Sequence, residues 1–384
     1  MPNTVCIMPW IAIDRNQNNL TSKVALTPCC IYETQEQHHD INSYWNSKEI
    51  VKVREEMLSG KKPKGCRKCW QAERNGILSY RQILNKERLD LFKNRLQDVR
   101  LDAQPIQVKF TVGNQCNLAC RMCLPNLSSG VKKVWDILGI EYQFEKDTVD
   151  YTKYILENRK NIQYIDIIGG EPFYHKNTKN LLKELIRTND NKHITLYICT
   201  NATRIDDRLI EILKQFKDVV LSISIDGVGR LQEYIRPGCN WQKFQDNIKY
   251  LKEQNIKFQI VPTLSVLSIL NLKELEDWCN ENNYYLAQPT IVETPDELSP
   301  HNLPVQLHSD VPEKYKKFVL AKTITADALN FIRKLDHYWK TNIIDVIPVW
   351  QKVFDNLHWQ QQQKLEKYNS IAKKICWMKK HILS

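Results

Sequence analysis

Residues 106–123 read Ile-Gln-Val-Lys-Phe-Thr-Val-Gly-Asn-Gln-Cys-Asn-Leu-Ala-Cys-Arg-Met-Cys. The first seven alternate and are rich in β-branched side chains, which predicts a strand. Directly after it, Cys116, Cys120 and Cys123 form a C-x3-C-x2-C loop. Iron–sulfur clusters are normally held by four thiolates. Three thiolates therefore predict a cubane cluster with one iron left open to a ligand that is not protein.

A zinc knuckle, or a chance run of buried cysteines, is the alternative interpretation of this loop. Zinc sites prefer paired C-x2-C elements with two further ligands. Here the two gaps are unequal, and no histidine follows at ligand distance. The spacing thus favours the iron–sulfur cluster, and the surrounding sequence adds to that preference.

Strands and helices alternate around the cysteine loop. Apolar or β-branched runs predict strands at 106–112, 164–168, 194–199, 219–225, 258–264 and 284–292. Helical spacing of apolar residues predicts helices at 146–158, 178–188, 206–216, 241–254 and 272–281. This alternation is typical of parallel β/α units. Because ligands bind such units at the carboxyl ends of the strands, we expect the site at that edge.

A glycine pair lies at the carboxyl end of the second predicted strand. Gly169 and Gly170 are followed there by Glu171 and Pro172. Without a Cβ atom, glycine lets the backbone approach a ligand closely. Together, the cysteine loop and this Gly-Gly-Glu-Pro motif resemble those of the radical S-adenosylmethionine (radical SAM) enzymes. The resemblance implies an α/β fold, with a partial (β/α)6 barrel of radical SAM type over residues 100–295.

The resemblance also implies the chemistry. A SAM-binding 4Fe-4S cluster would sit on the three cysteines, with S-adenosylmethionine chelated to its open iron. One electron, from a donor such as a flavodoxin or ferredoxin, would cleave the cofactor. The resulting 5′-deoxyadenosyl radical would abstract a hydrogen atom from the substrate, and the cofactor would do the hard chemistry while the protein orients it.

Several cofactor contacts follow from the same resemblance. Gly169, Gly170 and Glu171 would hold the methionine amino group. Arg236 would pair with the methionine carboxylate, since a guanidinium fork suits a carboxylate, although an ordinary surface arginine is an equal alternative. Met122 stands where relatives often carry an aromatic residue near the adenine, and a thioether packs adequately on rings. Further polar candidates follow the later strands, and they are Thr200, Asn201, Ser222, Ser224 and Asp226.

A second group of cysteines lies near the amino terminus. The chain has twelve cysteines, and five fall in the first 70 residues. Cys66 and Cys69 form a C-x2-C pair, and the group resembles the auxiliary-cluster modules called SPASM or twitch domains. The resemblance implies such a module over residues 1–99, with a second 4Fe-4S cluster on Cys6, Cys29, Cys66 and Cys69 and with Cys30 as the spare. A zinc site on the same four thiolates is the alternative.

The remaining sequence is less specific. Residues 296–384 predict a linker followed by helices, at 331–339 and 350–378, that pack against the open side of the barrel or over the substrate. Cys199, Cys239 and Cys279 are predicted to be small buried hydrophobes, and Cys376 has no assigned role. Tyr174, His175 and Tyr234 lie near predicted strand ends, but the sequence assigns no catalytic acid or base.

Composition bounds the partners and the location. The net charge is +11, and Lys373-Lys374 and Lys379-Lys380 are the best local candidates for a basic face. A solvated basic surface is favoured over nucleic-acid binding, because no basic stripe is interleaved with aromatic residues. The start has no basic n-region and no window is long and apolar enough to span a membrane. We therefore expect a cytoplasmic protein without a membrane partner, whose clustered cysteines serve metal binding or catalysis.

The resemblance implies an oxidoreductase or peptide-modifying enzyme. Relatives with auxiliary clusters mostly modify peptides or proteins, and the predicted outcome is a net oxidation or a new bond on a side chain. Oxidation of a sugar-like small molecule is the second possibility, and nucleic-acid modification is a third. A non-catalytic iron–sulfur or zinc electron-transfer protein is the competing hypothesis from another class.

Overall fold

The computed structural model describes residues 2–16, 25–34, 36, 38, 40–76, 78–143, 149–319 and 326–356. Its strands are β1 Ala12–Asn16, β2 Ala25–Thr27, β3 Gln107–Thr111, β4 Tyr164–Ile168, β5 Thr195–Thr200, β6 Asp218–Ser224, β7 Lys257–Val261, β8 Thr263–Leu264 and β9 Thr290–Ile291. Cys376, the lysine pairs at 373–374 and 379–380, and most of the helix predicted at 350–378 lie outside the described residues.

Helices alternate with these strands. They are α1 Met8–Ile11, α2 Ile41–Trp45, α3 Lys48–Leu58, α4 Arg67–Arg74, α5 Tyr80–Phe92, α6 Ser129–Leu138, α7 Tyr151–Glu157, α8 Lys176–Arg187, α9 Asp207–Leu213, α10 Arg230–Ile235, α11 Trp241–Glu253, α12 Leu272–Glu281, α13 Ala326–Trp339 and α14 Ile343–Val346. In the described part of the chain, none combines the length and apolar composition that a membrane crossing requires.

One sheet of seven strands forms the centre of the fold, in the order β2-β1-β3-β4-β5-β6-β7. All neighbouring strands are parallel except β1 and β2, which are antiparallel. The predicted α/β fold with parallel strands is thereby confirmed. Parallel strands need crossover connections, and helices α6 to α11 supply them between β3 and β7.

The two faces of the sheet differ in polarity. On one face Val108, Ile165 and Leu221 are fully buried under the crossover helices, as expected for a parallel sheet covered by helices. On the other face Lys109 lies beside Asp166 in the parallel register, and Ser222 and Ser224 share this face with them. This polar face is the interior of the partial barrel.

The sheet differs from the sequence prediction in two places. The strand predicted at 284–292 is reduced to a bridge between Leu286 and Ile260 and to the two residues of β9, which pair with β8. Pro262 and Pro289 flank these short pairs, and proline cannot donate a ladder hydrogen bond. The sequence also gave no sign that β1 joins the sheet, where it pairs in parallel with β3.

Side-chain caps set several helix boundaries. Asp150 accepts a hydrogen bond from the backbone of Lys153, so α7 begins at Tyr151, whereas the first residues of the helix predicted at 146–158 lie outside the described residues. Asp206 and Asn240 cap α9 and α11 in the same way. These caps fix where each helix starts below the carboxyl edge of the sheet.

Buried polar contacts tie the amino-terminal segment together. The Arg54 guanidinium, fully buried on α3, donates to the carbonyls of Pro9, Trp45 and Val99. It also lies over the Trp45 ring, 4.6 Å from the ring centroid. A single buried cation thus joins α1, the end of α2 and the approach to β3.

Candidate cluster and cofactor site

The cysteine loop leaves the carboxyl end of β3 and lines one cavity. Cys116, Cys120 and Cys123 face this cavity of about 660 Å³, together with Gly169 and Gly170 from the end of β4. The loop is held from its amino-terminal side, where Ser129 on α6 donates from Oγ and N to the backbone of Cys116 and Asn114 at 3.4 and 2.6 Å. The structure therefore brings the three candidate ligands and the glycine turn to one place.

Hydrogen-bond donors surround two of the three sulfur atoms. The backbone N–H of Leu118 lies 3.4 Å from Cys116 Sγ, and Asn201 Nδ2 lies 3.9 Å from the same atom. Arg236 Nη1 lies 3.6 Å from Cys120 Sγ. Hydrogen bonds to the sulfur atoms help to set the reduction potential of an iron–sulfur cluster. Burial raises the pKa of the Cys116 thiol to about 11, so metal binding must release its proton.

The glycine turn packs directly against the cysteine loop. Gly169 and Gly170 adopt φ values of +83° and +40°, which favour glycine over other residues. A Cβ atom on Gly170 would lie 2.3 Å from the carbonyl oxygen of Gln115. The backbone of Glu171 donates to that same oxygen at 2.8 Å. The turn thus has the close backbone approach that the sequence suggested, here to the loop that carries the cysteines.

The Glu171 carboxylate joins two strand ends. It is buried and accepts hydrogen bonds from Thr200 Oγ1 at 2.7 Å, from the Asn201 backbone at 2.7 Å and from the Phe173 backbone at 3.1 Å. Burial raises its pKa, although these donors oppose the shift. Its contacts connect β4 to β5 behind the cavity wall, and contact with a cofactor amine stays a prediction.

A buried ion pair positions Arg236. Its Nε lies 2.7 Å from Asp226 Oδ2, and the other carboxylate oxygen accepts the backbone N–H of Thr263 at 2.7 Å. Asp226 is fully buried, whereas Arg236 lines the cavity. Asp226 therefore holds the arginine in place, and its contact with the cofactor stays a prediction.

The other predicted contacts divide into lining and deeper residues. Met122, Thr200, Asn201 and Ser224 line the cavity. Ser222 lies one step further down β6, where its hydroxyl accepts a hydrogen bond from Gln259 at 3.1 Å. Most of the predicted cofactor contacts are thus gathered around the cavity that holds the three cysteines.

The amino-terminal cysteines form a second group. The Cys29 thiol interacts electrostatically with Cys6 and Cys66, and Cys66 interacts with Cys6 and Cys69. Cys6 and Cys69 are buried, and Cys29 and Cys66 are half-buried. Four thiolates can hold an iron–sulfur cluster or a zinc ion, and an auxiliary cluster on these residues stays a prediction.

Cys30 interacts electrostatically with Cys29 but also has partners outside this group. Its thiol forms a hydrogen bond with Lys109 in the barrel interior, and it lines the cavity of Cys116. Asp14 lies on the neighbouring strand, and its Oδ2 is 3.5 Å from Lys109 Nζ. The sequence could not have indicated these residues without the pairing of β1 with β3, which places Asp14 opposite Lys109.

The three residues noted near predicted strand ends have surroundings that fit a structural role. His175 caps α8, since its Nδ1 accepts the backbone N–H of Asn177. Tyr174 is exposed. The Arg121 guanidinium lies over the ring of Tyr234, 3.9 Å from the centroid of that ring. Arg121, between two candidate ligands, was not singled out by the sequence.

Comparison with known proteins agrees with this site. Residues 110–281 match the model of the radical SAM superfamily. The radical SAM cyclopropyl synthase TigE of Paramaledivibacter caminithermalis is 24% identical over 274 residues, which are 69% of this chain and 53% of that protein. The chain thus spans about half the length of this curated relative.

Solved structures that the chain matches include native anSMEcpe with bound AdoMet, at 20% identity and a TM-score of 0.38 over 49% of this chain and 52% of that one. Streptococcus suis SuiB bound to precursor peptide SuiA is 20% identical, with a TM-score of 0.36 over 58% of this chain and 52% of that one.

The matched residues contain the cysteine loop, the glycine turn and strands β4 to β7. Residues 110–281 are therefore a radical SAM domain. Proteins of the superfamily that these residues match use a 4Fe-4S cluster and S-adenosylmethionine, and the three thiols and the glycine cradle at the cavity fit that pair.

Proposed function

We propose that the protein uses S-adenosylmethionine and a 4Fe-4S cluster to abstract a hydrogen atom from a peptide or protein side chain, with net oxidation or formation of a new bond. One observation carries the proposal. The three cysteines of the C-x3-C-x2-C loop and the glycine turn line one cavity at the carboxyl edge of a parallel sheet, where ligands of such sheets bind.

The residues around the cavity have distinct proposed roles. Cys116, Cys120 and Cys123 hold the cluster, and Gly170 leaves room for backbone approach. Arg236, held by Asp226, offers its remaining N–H groups to a carboxylate. When bound, the cluster and S-adenosylmethionine supply the 5′-deoxyadenosyl radical. The lining is mostly apolar, which limits water near a reactive radical.

An auxiliary cluster on Cys6, Cys29, Cys66 and Cys69 is the second part of the proposal. The mutual interactions of their thiols support it. Such a cluster would take an electron from the substrate radical or bind the substrate. We propose a flavodoxin or ferredoxin as the electron donor to the radical SAM cluster, and a cytoplasmic location.

We favour a peptide substrate from the size and walls of the cavity. Its volume of about 660 Å³ is in the range of pockets for single small ligands, and it has to hold the adenosyl group as well as the reacting group. Lys68 of the amino-terminal segment and residues 289–294 line the cavity, and we propose that its mouth lies between them. One side chain can enter there while the rest of a peptide stays outside. A sugar-like molecule is the second candidate, because it would fit entirely within the remaining space.

Bond formation is supported by the relative TigE, whose name describes a cyclopropyl synthase. Closing such a ring joins carbon atoms, which is a bond-forming outcome.

The domain division that we propose keeps residues 1–99, 100–295 and 296–384 as successive segments, although β1 and β2 of the first segment extend the sheet of the second.

Iron and acid-labile sulfide per chain, together with cofactor cleavage, test the proposal. After anaerobic reconstitution we expect about eight irons in the wild type and about four in a Cys116/Cys120/Cys123→Ala variant. With dithionite, only the wild type should release 5′-deoxyadenosine. About four irons falling to none would leave the amino-terminal cysteines with zinc or nothing. An intact iron content in the variant, or no cleavage by the wild type, would favour a non-catalytic protein.

A further inference from the structure

A thiol outside the predicted ligand sets lies on the wall of the proposed radical cavity. Cys30 follows β2 and lines the same cavity as Cys116, Cys120 and Cys123. Its neighbour Cys29 interacts electrostatically with Cys30 and with the amino-terminal thiols of Cys6 and Cys66. The two cysteines are therefore in contact with each other but differ in their other partners, and only Cys29 is among the predicted auxiliary ligands.

Charged side chains in the barrel interior lie next to this thiol. Lys109 forms a hydrogen bond with Cys30 and an ion pair with Asp14. Asp14 is 2% exposed, and its Oδ1 has no hydrogen-bond partner among the described residues. Asp166 also faces this group, and it accepts a hydrogen bond from Gln107 at 2.8 Å. The cluster of charges fixes the direction of the Cys30 side chain, since a buried cation and carboxylate hold their partners strongly.

We propose that Cys30 donates a hydrogen atom to a carbon radical in this cavity, and that Lys109 and Asp14 position its thiol for the transfer. This inference rests on the proposed function. Radical addition to an unsaturated bond leaves a product radical, and a bond-forming reaction needs a hydrogen atom to end there.

The hydrogen-atom transfer conserves atoms and electrons. The S–H bond of Cys30 breaks homolytically and a C–H bond forms, so the carbon radical is reduced and a thiyl radical remains. One electron from an external one-electron reductant, and one proton from solvent, then restore the thiol. Cys199 is the rival donor, because it lines the same cavity with its Sγ 3.7 Å from Ser224 Oγ.

Uncoupled cofactor cleavage in D₂O tests the transfer without a substrate. Thiol hydrogens exchange with solvent, so a 5′-deoxyadenosyl radical that Cys30 quenches gains one deuterium. The reconstituted full chain, S-adenosylmethionine and dithionite are incubated, and the deuterium fraction of 5′-deoxyadenosine is measured by mass spectrometry. We expect a several-fold lower fraction for Cys30→Ala and Cys30→Ser, since an O–H bond is a poor hydrogen-atom donor. Cys279→Ala, which removes a thiol buried on α12, is the neutral control.

Iron content separates the proposed role from metal ligation. We expect Cys30→Ala to keep the wild-type iron content, whereas Cys29→Ala loses the iron of the amino-terminal group. Loss of iron in Cys30→Ala, an unchanged deuterium fraction in that variant, or loss of deuterium in Cys199→Ala instead would each overturn the inference. An absence of any 5′-deoxyadenosine from the wild type would contradict the proposed function itself.

Discussion

At the scale of single residues, Gly170 shows how little room the site allows. Its φ of +40° and the Gln115 oxygen 2.3 Å from a would-be Cβ are two separate reasons for glycine. Gly139, at the end of α6, shares a positive φ of +63° but has open space around it. The pair separates backbone strain, which both positions share, from the steric clash, which only the turn beside the cysteines has.

Gly170→Ala should therefore disrupt the cofactor site more than the fold. The new methyl group has to push the turn away from the cysteine loop, and we expect affinity for S-adenosylmethionine to fall by about tenfold or more, since ~1.4 kcal/mol is a factor of ten. Equilibrium binding to the reconstituted enzyme measures this. Gly139→Ala carries a similar backbone strain of about 1 kcal/mol, and it should bind the cofactor like the wild type. Equal affinities in both variants and the wild type would mean that the turn does not contact the cofactor.

Asp14 gives a prediction about pH. Burial raises its pKa from the ordinary 3.8 to about 6, although the Lys109 ammonium opposes the shift. Between these values the folded protein binds a proton that the unfolded chain does not, so stability decreases as pH rises through this window. Above it the carboxylate is charged in both states, and the loss is complete.

Asp14→Asn should remove this dependence, because the amide does not titrate. From about pH 4 to about pH 7, the melting temperature of the wild type should fall relative to that of Asp14→Asn, and it should level off above that range. Thermal unfolding of both reconstituted proteins across this range is the measurement. A constant difference between them would show that Asp14 has an ordinary pKa in the folded protein.

At the scale of elements, helix α13 is joined to the cysteine loop by a buried ion pair. Arg121, between Cys120 and Met122, lies with its Nη2 3.1 Å from Asp336 Oδ1 on α13. Its Nε donates to the carbonyl of Tyr234 at 2.7 Å, two residues before the cavity arginine Arg236. The carboxyl-terminal helix thus reaches both the ligand loop and the segment that carries Arg236.

Asp336→Ala should loosen the cluster loop from a distance. Removing one partner of a buried pair leaves an uncompensated charge and costs about 3–5 kcal/mol. We expect a lower melting temperature and a changed electron paramagnetic resonance spectrum of the reduced radical SAM cluster. Asp136→Asn on α6 breaks the exposed Lys132–Asp136 pair, which solvent screens and which contributes little to stability, and serves as the control. An unaltered spectrum in Asp336→Ala would restrict α13 to a purely stabilising role.

Strands β3 to β7 could be predicted from the sequence, whereas strand β1 could not. Strands β3 to β7 carry apolar residues on their helix-covered face, so the pattern of apolar residues was sufficient to predict them as strands. Motifs such as C-x3-C-x2-C and Gly169–Gly170 could be placed because they follow those strands directly. The segment Ala12–Asn16 contains Asp14 and Arg15 and is too polar to predict a strand inside a sheet. The separate surroundings of Cys29 and Cys30 depend on that strand, so the sequence left their roles open.

At the scale of the whole molecule, the amino-terminal segment is part of the barrel and not an appendage. Its strand β1 covers the edge of β3 through parallel hydrogen bonds, and Asp14 pairs with Lys109 inside. Cys30 and Lys68 complete one wall of the cavity, and Lys68 bonds both carboxylate oxygens of Glu293 at 2.9 Å across the mouth. The proposed radical site is thus enclosed only when both segments are present.

Deleting residues 1–99 should therefore prevent folding of the radical SAM domain. The deletion exposes the backbone of β3 as an unpaired edge, a template for aggregation, and leaves Lys109 without Asp14, at a cost of about 3–5 kcal/mol. A Cys66→Ala/Cys69→Ala variant of the full chain removes two candidate ligands but keeps β1 and β2. Size-exclusion chromatography after expression should give aggregate for the deletion and a discrete species for the double variant. A soluble, monodisperse deletion protein that still binds about four irons would mean that the barrel folds alone, and that residues 1–99 are a separate module attached to it.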